Sequence, residues 1–282
     1  MIVFLNGEFV PEEKAVISVF DRSFLYGDGL FESVRVYNGR PFRWQQHLER
    51  LQHGAAFLNI RVPYTTKELS RISEQLLREN AMREAILRLT LSRGIGVRGY
   101  SSGGADHPSL VMTLHPAPQI DPDNPTRWRL ITASVRVAAG DRLANYKTCN
   151  KLPQILARAE AEAQGADEAL MLNTAGEVAE AASSNLFWVD ASTICTTPLA
   201  SGILAGVTRG LVIELCEAAL IPCRENTITS RTLQAAEGVF LTTSTLEIVS
   251  VIAIDGQPVK ISPVVEGIRA AYRGAVERET AC

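Results

Sequence analysis

Asn145-Tyr146-Lys147-Thr148-Cys149-Asn150-Lys151-Leu152-Pro153 is the stretch from which the rest of the chain is read. It follows Trp128 to Val137, which reads as a strand, and it opens a helix over about Pro153 to Gln164, with proline at the first turn, where it is tolerated. The chain has only five lysines: Lys14, Lys67, Lys147, Lys151 and Lys260. Lys14 sits in the polar hairpin Pro11-Glu12-Glu13-Lys14, Lys67 near the start of a mixed-charge helix, and Lys260 just past the turn Asp255-Gly256-Gln257-Pro258. Those three read as solvated surface. Lys147 and Lys151 stand at an element junction among small polar and aromatic residues. Partial burial at such a junction can lower a lysine pKa enough for Schiff-base chemistry. On local sequence alone a solvated loop lysine is the commoner outcome, so the other motifs must decide.

At 282 residues, two α/β domains or one large one fit the length, and 46% apolar residues can bury a substantial core. A net charge of −3 without a basic, aromatic-interleaved stripe argues against a nucleic-acid partner. No apolar run reaches membrane-spanning length, and Met1 to Gly7 reads as strand and turn rather than signal peptide. The expectation is a soluble, cytoplasmic protein with no membrane partner. Cysteines 149, 195, 216, 223 and 282 lack metal-ligand spacing and fit free thiols in a reducing compartment; no metal is expected. A catalytic Cys149 has no local histidine partner, the histidines being His47, His53, His107 and His115.

The N-terminal half reads as a sheet with two helices. Residues 1–10 alternate around the hairpin turn Asn6-Gly7, and Ala15 to Ser18 is expected to continue the sheet. In Tyr26-Gly27-Asp28-Gly29-Leu30-Phe31-Glu32 two glycines bracket Asp28, so the backbone bends there. Phe31 to Tyr37 alternates as a strand, and Asn38-Gly39 closes a hairpin with Pro41-Phe42. A helix over Trp44 to Leu58 places Leu48, Leu51 and Ala55 on its apolar side with Arg50 at the edge. The capping pattern Thr65-Thr66-Lys67-Glu68 starts a second helix to about Asn80. Ala85 to Ser92 and Leu110 to Leu114 read as strands around the glycine-rich loop that carries Arg93 and Arg98, two arginines that could hold an anion. The acidic, proline-rich run Pro116 to Pro125 is the linker, giving a smaller domain over 1–118, a linker over 119–126 and a larger domain over 127–282.

In the second half, Glu168 to Leu172 and Val178 onward form a hairpin about Thr174-Ala175-Gly176. Glu180 is followed by small residues that would let a planar group approach, although an exposed strand glutamate is the plain alternative. Gly206-Val207-Thr208 opens an apolar helix running to Leu220, and its free N–H groups with the threonine hydroxyl could form a phosphate cup. Simple N-capping by Thr208 would need nothing more. Four hydroxyl residues, Thr242 to Thr245, end the buried strand Val239 to Leu241, as a second phosphate grip or a turn. A closing helix is expected over Pro263 to Glu277.

Taken in order and spacing, the chain resembles the class IV pyridoxal-phosphate aminotransferases along nearly its whole length. The resemblance rests on Tyr26 to Glu32, His47-Leu48-Glu49-Arg50-Leu51, Lys147-Thr148-Cys149-Asn150, Ala166 to Leu170, Glu180 to Phe187, Gly206-Val207-Thr208 and Thr242 to Thr245. It implies a fold-type IV α/β architecture (α+β in the broader sense) of two domains with pyridoxal 5'-phosphate between them. Lys147 is then the lysine that carries the cofactor, since it precedes the Asn of the motif, and it serves as the base and acid of the proton shift. Glu180 falls where the family carboxylate meets the pyridine nitrogen. Arg50, Gly206, Val207, Thr208 and Ser244 fall at phosphate positions. Phe31, Arg88, Arg98, Tyr100 and Thr245 fall at substrate positions. Similar members are homodimers in which a partner loop helps close the site.

Within the family the motifs divide. Ser92 to Ser101 resembles the corresponding loop of aminodeoxychorismate lyases. Arg98 falls where D-amino acid aminotransferases hold the substrate carboxylate, but Tyr100 and Phe31 replace their histidine and tyrosine. Arg88 resembles an arginine of branched-chain enzymes, but Lys151 replaces the tyrosine that often follows their Asn. The expectation is a transaminase acting on an amino acid and a 2-oxo acid. An aminodeoxychorismate lyase, forming 4-aminobenzoate and pyruvate, is the alternative. A non-catalytic dimeric binding protein would be expected to have lost Lys147 or Glu180, and both are present.

Overall fold

The structure is a computed structural model describing residues 1–281. The described residues divide into two compact units, residues 1–117 with 146–150 and 276–281, and residues 118–145 with 151–275. Each contains one sheet with helices, a mixed α/β architecture.

The first unit runs β1 (Ile2–Leu5), β2 (Glu8–Pro11), α1 (Arg22–Tyr26), β3 (Gly29–Tyr37), β4 (Arg40–Pro41), α2 (Trp44–Leu58), α3 (Thr66–Glu79), β5 (Ala85–Ser92) and β6 (Ser109–Pro116). Its strands form one sheet in the order β2-β1-β6-β5-β3-β4. The Asn6-Gly7 and Asn38-Gly39 hairpins form as expected, with both asparagines and both glycines at positive φ, as such two-residue turns require. Thr65 and Glu68 complete the capping box of α3. Leu30, Val34 and Val36 on β3, with Leu87, Leu89 and Leu91 on β5, bury against Leu48, Leu51 and Ala55 of α2 and Leu69 and Leu76 of α3. Ala15 to Ser18 does not continue the sheet: β2 stops at Pro11, which has no N–H for a ladder, and a 3₁₀ turn follows over Glu12–Lys14.

The bend at Gly27-Asp28-Gly29 is the end of α1, a short helix not anticipated from periodicity because it spans little more than a turn. Asp21 caps it by accepting from the Ser23 N–H, and Gly27 closes it in the left-handed region at φ 68°. The segment Tyr146–Asn150 belongs to this unit and pairs with the start of β3. Phe31 N–H donates to the Lys147 carbonyl, and Cys149 N–H donates to the Gly29 carbonyl, both at 2.9 Å. Asn150 Nδ2 donates to the Gly27 carbonyl at 3.2 Å.

The second unit contains β7 (Arg127–Val137), α4 (Leu152–Ala163), β8 (Glu168–Asn173), β9 (Val178–Ala181), β10 (Asn185–Asp190), β11 (Thr193–Thr196), α5 (Val207–Ala218), β12 (Cys223–Glu225), α6 (Ser230–Gln234), β13 (Gly238–Thr243), β14 (Glu247–Ile254), β15 (Gln257–Pro258) and α7 (Pro263–Thr280), whose last turns group with the first unit. The sheet order is β12-β11-β10-β13-β14-β7-β8-β9, with β15 on β14. The parallel pair β7 and β8 is joined by α4, whose small residues Ala157 and Ala161 let it lie close over Ile131, Ala133, Ala169 and Met171. The opposite core gathers Leu130, Leu186, Leu241 and Val249 with Ile228 and Leu233. Among the described residues no helix is long and apolar enough to cross a membrane, and no group of His, Cys, Asp or Glu could hold a metal ion.

A Cβ at Gly27 would lie 2.3 Å from Asn150 Oδ1, whereas one at Gly39, also at positive φ, meets nothing within 4 Å. Gly39→Ala is expected to cost about 1 kcal/mol from the left-handed backbone alone. Gly27→Ala should cost roughly 1 kcal/mol more, because the Asn150 hydrogen bond is displaced as well. Equal losses in chemical denaturation would show that Asn150 does not dock on this turn.

Candidate active site

Successive residues of a strand point to opposite faces, and β3 uses both. Leu30, Val34 and Val36 lie in the core with α2 and α3, so Glu32 shares their face. Its side chain is buried and is met by two residues of α2 one turn apart. His47 Nδ1 lies 2.6 Å from Glu32 Oε2, while Arg50 donates from Nε to Oε1 at 2.8 Å and from Nη2 to Oε2 at 2.6 Å. Burial pushes the Glu32 carboxyl upward, but Arg50 and His47 together outweigh it and hold the pKa at about 2. His47 is driven below its ordinary range, first by burial, against the pull of Glu32. The fork on Glu32 fixes the Arg50 guanidinium, which periodicity alone placed at the edge of the helix.

On the other face of β3 lies Phe31. Register pairs Ser33 with Arg88 of β5, which puts Arg88 on the Phe31 side. Arg88 Cζ is 4.0 Å from the centre of the Phe31 ring, and Lys147 Nζ is 4.7 Å from it. Burial lowers the Arg88 pKa, opposed by the neighbouring Cys149. The structure thus brings together Phe31, Arg88 and Lys147 on one face, with Arg50 ordered on the other. The other four lysines differ: Lys14, Lys67 and Lys260 are exposed, as expected, and Lys151 precedes the first turn of α4 in the second unit.

The glycine-rich loop corrects one expectation. Arg93 is buried and engaged throughout its guanidinium: Nε and Nη2 donate to Asp28 at 2.7 and 3.1 Å, Nη1 to the Asn59 carbonyl at 2.9 Å, and Nη2 to the Leu58 carbonyl at 2.8 Å. It holds the loop and is not an anion ligand. Asp28 also accepts from Arg22 Nε at 2.8 Å, and Arg22 Nη1 donates to the carbonyls of Gly99 and Ser101 at 2.9 and 3.0 Å. Burial raises the Asp28 pKa, but the two guanidinium groups prevail and hold it below the ordinary value. Arg22 was not singled out from sequence. Its only signal was a basic residue beside the Gly-Asp-Gly turn, and besides Asp28 its partners are backbone carbonyls far along the chain. Arg98 and Tyr100 are exposed on the loop so held, with the Tyr100 ring edge-on to Tyr26.

In the second unit, Glu180 lies on β9 and is half-buried rather than exposed. Its Oε2 accepts from Asn185 Nδ2 at 2.9 Å and from the Leu204 N–H at 3.1 Å. Asn185 Nδ2 also donates to the Leu204 carbonyl at 2.9 Å. Gly206 is required by this packing, because a Cβ there would stand 1.9 Å from Asn185 Oδ1. Gly206 is the N-cap of α5 and supplies no side-chain cap, so Thr208 lies inside the first turn and does not cap the helix. The first N–H groups of α5 are therefore not used by a capping side chain. Asn185 pairs in register with Thr242 on β13, whose hydroxyl is buried without a partner. Ser244 and Thr245 follow in the turn to β14, where Thr245 N–H donates to Thr243 Oγ1 at 3.4 Å. Asn145 Nδ2 donates to the carbonyls of Leu199 and Ile203, at 3.1 and 2.8 Å, and so steadies the loop that leads to Gly206.

The Glu32 cluster carries a pH signature. Its folded pKa lies below the ordinary 4.5, so the unfolded chain takes the proton first as pH falls. The stabilisation is full above about pH 4.5 and is lost as pH drops toward 2. A shift of this size corresponds to something on the order of 3 kcal/mol. The acid limb of a stability-against-pH curve should flatten in Glu32→Gln; an unchanged limb would place the acid sensitivity elsewhere.

The family model for class IV amino-transferases matches residues 29–254, which span both units. A protein of Methanocaldococcus jannaschii with a provisional assignment as a branched-chain-amino-acid aminotransferase is 37% identical over 258 residues, covering 91% of this chain and 89% of its own. The D-alanine aminotransferase of Bacillus licheniformis is 29% identical over 285 residues, covering 100% and 99%. The crystal structure of a branched-chain aminotransferase from Thermoproteus uzoniensis with norvaline superposes with a TM-score of 0.91 at 32% identity, covering 99% of this chain and 96% of that one. With the matched region enclosing the Phe31, Arg50, Lys147, Glu180 and Thr208 positions, the chain belongs to the class IV aminotransferases, enzymes of pyridoxal-phosphate-dependent amino-group transfer.

Proposed function

We infer that this chain binds pyridoxal 5'-phosphate through Lys147 and transfers an amino group between an amino acid and a 2-oxo acid with that lysine as base and acid. The observation that carries the reading is the Lys147 ammonium over Phe31 beside Arg88, on a segment tied by backbone bonds to β3. The donor set suits the group. The uncapped start of α5 at Gly206, Val207 and Thr208, the partnerless Thr242 hydroxyl beside Ser244, and the pre-oriented Arg50 are anion-binding chemistry. Glu180, steadied by Asn185 and the Leu204 N–H, is the carboxylate that would keep a ring nitrogen protonated. When bound, pyridoxal phosphate supplies an aldehyde for the substrate amine and a ring that draws electrons from the substrate Cα.

The protein's own part is positional and acid–base. Lys147 Nζ would be the base that takes the proton from the substrate Cα and the acid that gives it back. Phe31 gives it an apolar wall. Arg88 stands beside that wall as a grip for a substrate anion, and Arg98 is a second carboxylate grip on the exposed loop, with Tyr100 and Thr245 bordering the substrate. The chain acts as one protomer of a homodimer. The exposed apolar run Val16, Ile17, Val19 and Phe20, continued by Phe24, supports a second copy covering this surface.

Borohydride reduction of the loaded protein should fix the cofactor to Lys147, and Lys147→Ala should abolish turnover with the fold retained; a label on Lys151 would overturn the assignment. Glu180→Gln should lower turnover by roughly two powers of ten or more, the scale for losing one preorganised electrostatic partner. Near-normal turnover would remove its role.

The reaction class is read from the visible spectrum on adding D-alanine or L-leucine, then a 2-oxo acid. Loss and return of the cofactor band supports transfer and gives the handedness. No response to any amino acid, together with pyruvate and 4-aminobenzoate from aminodeoxychorismate, would replace transfer by the lyase reaction. Arg88→Ala and Arg98→Ala should each weaken both half-reactions if both grip the carboxylate common to the two substrates. A change that leaves the rates with simple amino acids untouched leaves that arginine out of the clamp.

A further inference from the structure

We propose that Tyr26 is a positioning residue for substrate recognition, holding the backbone beside Arg98 so that this side chain meets a substrate carboxylate from a fixed base; this rests on the reading of Arg98 as a carboxylate grip. The loop needs such a hold. Val97, Arg98 and Tyr100 are exposed. Gly99, directly after Arg98, has φ 111°, a conformation that glycine adopts freely, and a Cβ there would meet nothing within 4 Å. Packing therefore does not press on the residue next to the grip. An arginine on a backbone free to turn loses binding free energy to its own ordering.

Hydrogen bonds do what packing does not. Gly99 N–H donates to Tyr26 Oη at 3.0 Å, and the Gly99 carbonyl accepts from Arg22 Nη1 at 2.9 Å. Both backbone polar groups of the residue that follows Arg98 are thus held. Arg22 also donates to the next two carbonyls, from Nη2 to Tyr100 at 3.4 Å and from Nη1 to Ser101 at 3.0 Å. The rings of Tyr26 and Tyr100 meet edge-on with centroids 5.9 Å apart, and Arg22 Cζ lies 5.0 Å from the centre of the Tyr26 ring.

The two holding residues differ in what else they carry. Arg22 is buried and paired with Asp28, so removing it would also leave that carboxylate short of a counter-charge. Tyr26 is half-buried at the end of α1, and its hydroxyl bears no charge that another group needs. The carbonyl of its neighbour Gly27 accepts from Asn150 Nδ2 at 3.2 Å, on the segment that carries Lys147. One short helix therefore ties down both that segment, through Gly27, and the Arg98 loop, through Arg22 and Tyr26. Only the second tie depends on the Tyr26 hydroxyl.

Tyr26→Phe removes that hydroxyl and keeps the ring. KM is measured on the loaded enzyme with D-alanine or L-leucine, or with aminodeoxychorismate if neither reacts; each presents a carboxylate. Tyr26→Phe should raise KM roughly threefold to tenfold, the scale of one neutral hydrogen bond, with a smaller change in kcat. Arg98→Ala should raise KM by itself, and adding Tyr26→Phe to it should raise KM no further, because the hydroxyl acts through the arginine. Amide hydrogen exchange gives a readout apart from turnover. In Tyr26→Phe, exchange should quicken over residues 97–104 and stay as in the parent over β3. Reductant can be kept in every sample, since Cys149, Cys195, Cys216 and Cys223 form no disulfide, as the sequence reading expected; Cys282 lies outside the described residues. The role of Tyr26 is overturned if Tyr26→Phe keeps the parent's KM, raises it equally with and without Arg98, leaves exchange over 97–104 unchanged, or quickens it over β3 as well. Arg98→Ala with the parent's KM, or a protein that turns over none of the three compounds, defeats the reading of Arg98 itself and takes the role of Tyr26 with it.

Discussion

The open edge of β3 is the constraint on which the site depends. β4 pairs with β3 only at Val36 and Tyr37, so the first residues of β3 lack a strand partner on the side away from β5. Unpaired backbone groups in a buried strand are costly, and here the segment around Thr148 supplies the missing pairing. A lysine that must hold one position is thereby fixed by its own main chain, with two backbone hydrogen bonds on either side of Leu30. The left-handed cap at Gly27 and the absence of a side chain at Gly29, where a Cβ would lie 2.7 Å from the Leu91 carbonyl, let the segment and β5 approach together. The sequence Tyr-Gly-Asp-Gly and the distant lysine motif are two halves of one local structure.

Buried charge is concentrated in the same few residues. Asp28 immediately precedes β3 and Glu32 lies on it, and each is met by two basic side chains, Arg22 with Arg93 and His47 with Arg50. Removing one member of such a cluster leaves its partners charged and out of water, a larger loss than a surface pair would give. The net contribution of these clusters to stability is not their main consequence. They fix directions: Arg22 and Arg93 aim the loop that bears Arg98, and Glu32 aims Arg50.

Periodicity made the regular elements legible. α2 was read from Trp44 to Leu58 and observed over the same residues, because one helical face repeats cleanly and turn signals bracket it. The hairpins at Asn6-Gly7 and Asn38-Gly39 were legible because their turn chemistry is local. What escaped was set by distant partners. α1 spans too little for a period to register. The engagement of Arg93 depends on Asp28 and on the Leu58 and Asn59 carbonyls where α2 ends, and Arg22 looked like any loop arginine. The hydroxyl cluster was legible as polar residues at a strand end, but that Thr242 is the buried, partnerless one depends on its pairing with Asn185. Composition can flag Lys147 by scarcity; only pairing with β3 says why that lysine is held and Lys14, Lys67 and Lys260 are left in water.

The alternation of β3 explains how a strand with a core face can also serve a reactive one. Phe31 and Glu32 are neighbours in sequence and point to opposite sides. Phe31 meets Lys147 and Arg88; Glu32 meets His47 and Arg50. A shift of register by one residue would exchange them, placing a carboxylate beside the lysine and a phenyl ring against two basic groups of α2. Both outcomes are unfavourable: a carboxylate beside Lys147 would hold its proton, and Arg50 and His47 would lose their buried counter-charge. The register that fills the core with Leu30, Val34 and Val36 is therefore also the one that gives each polar group its partner. The hydrophobic pattern and the chemistry of the site select the same pairing between β3 and β5.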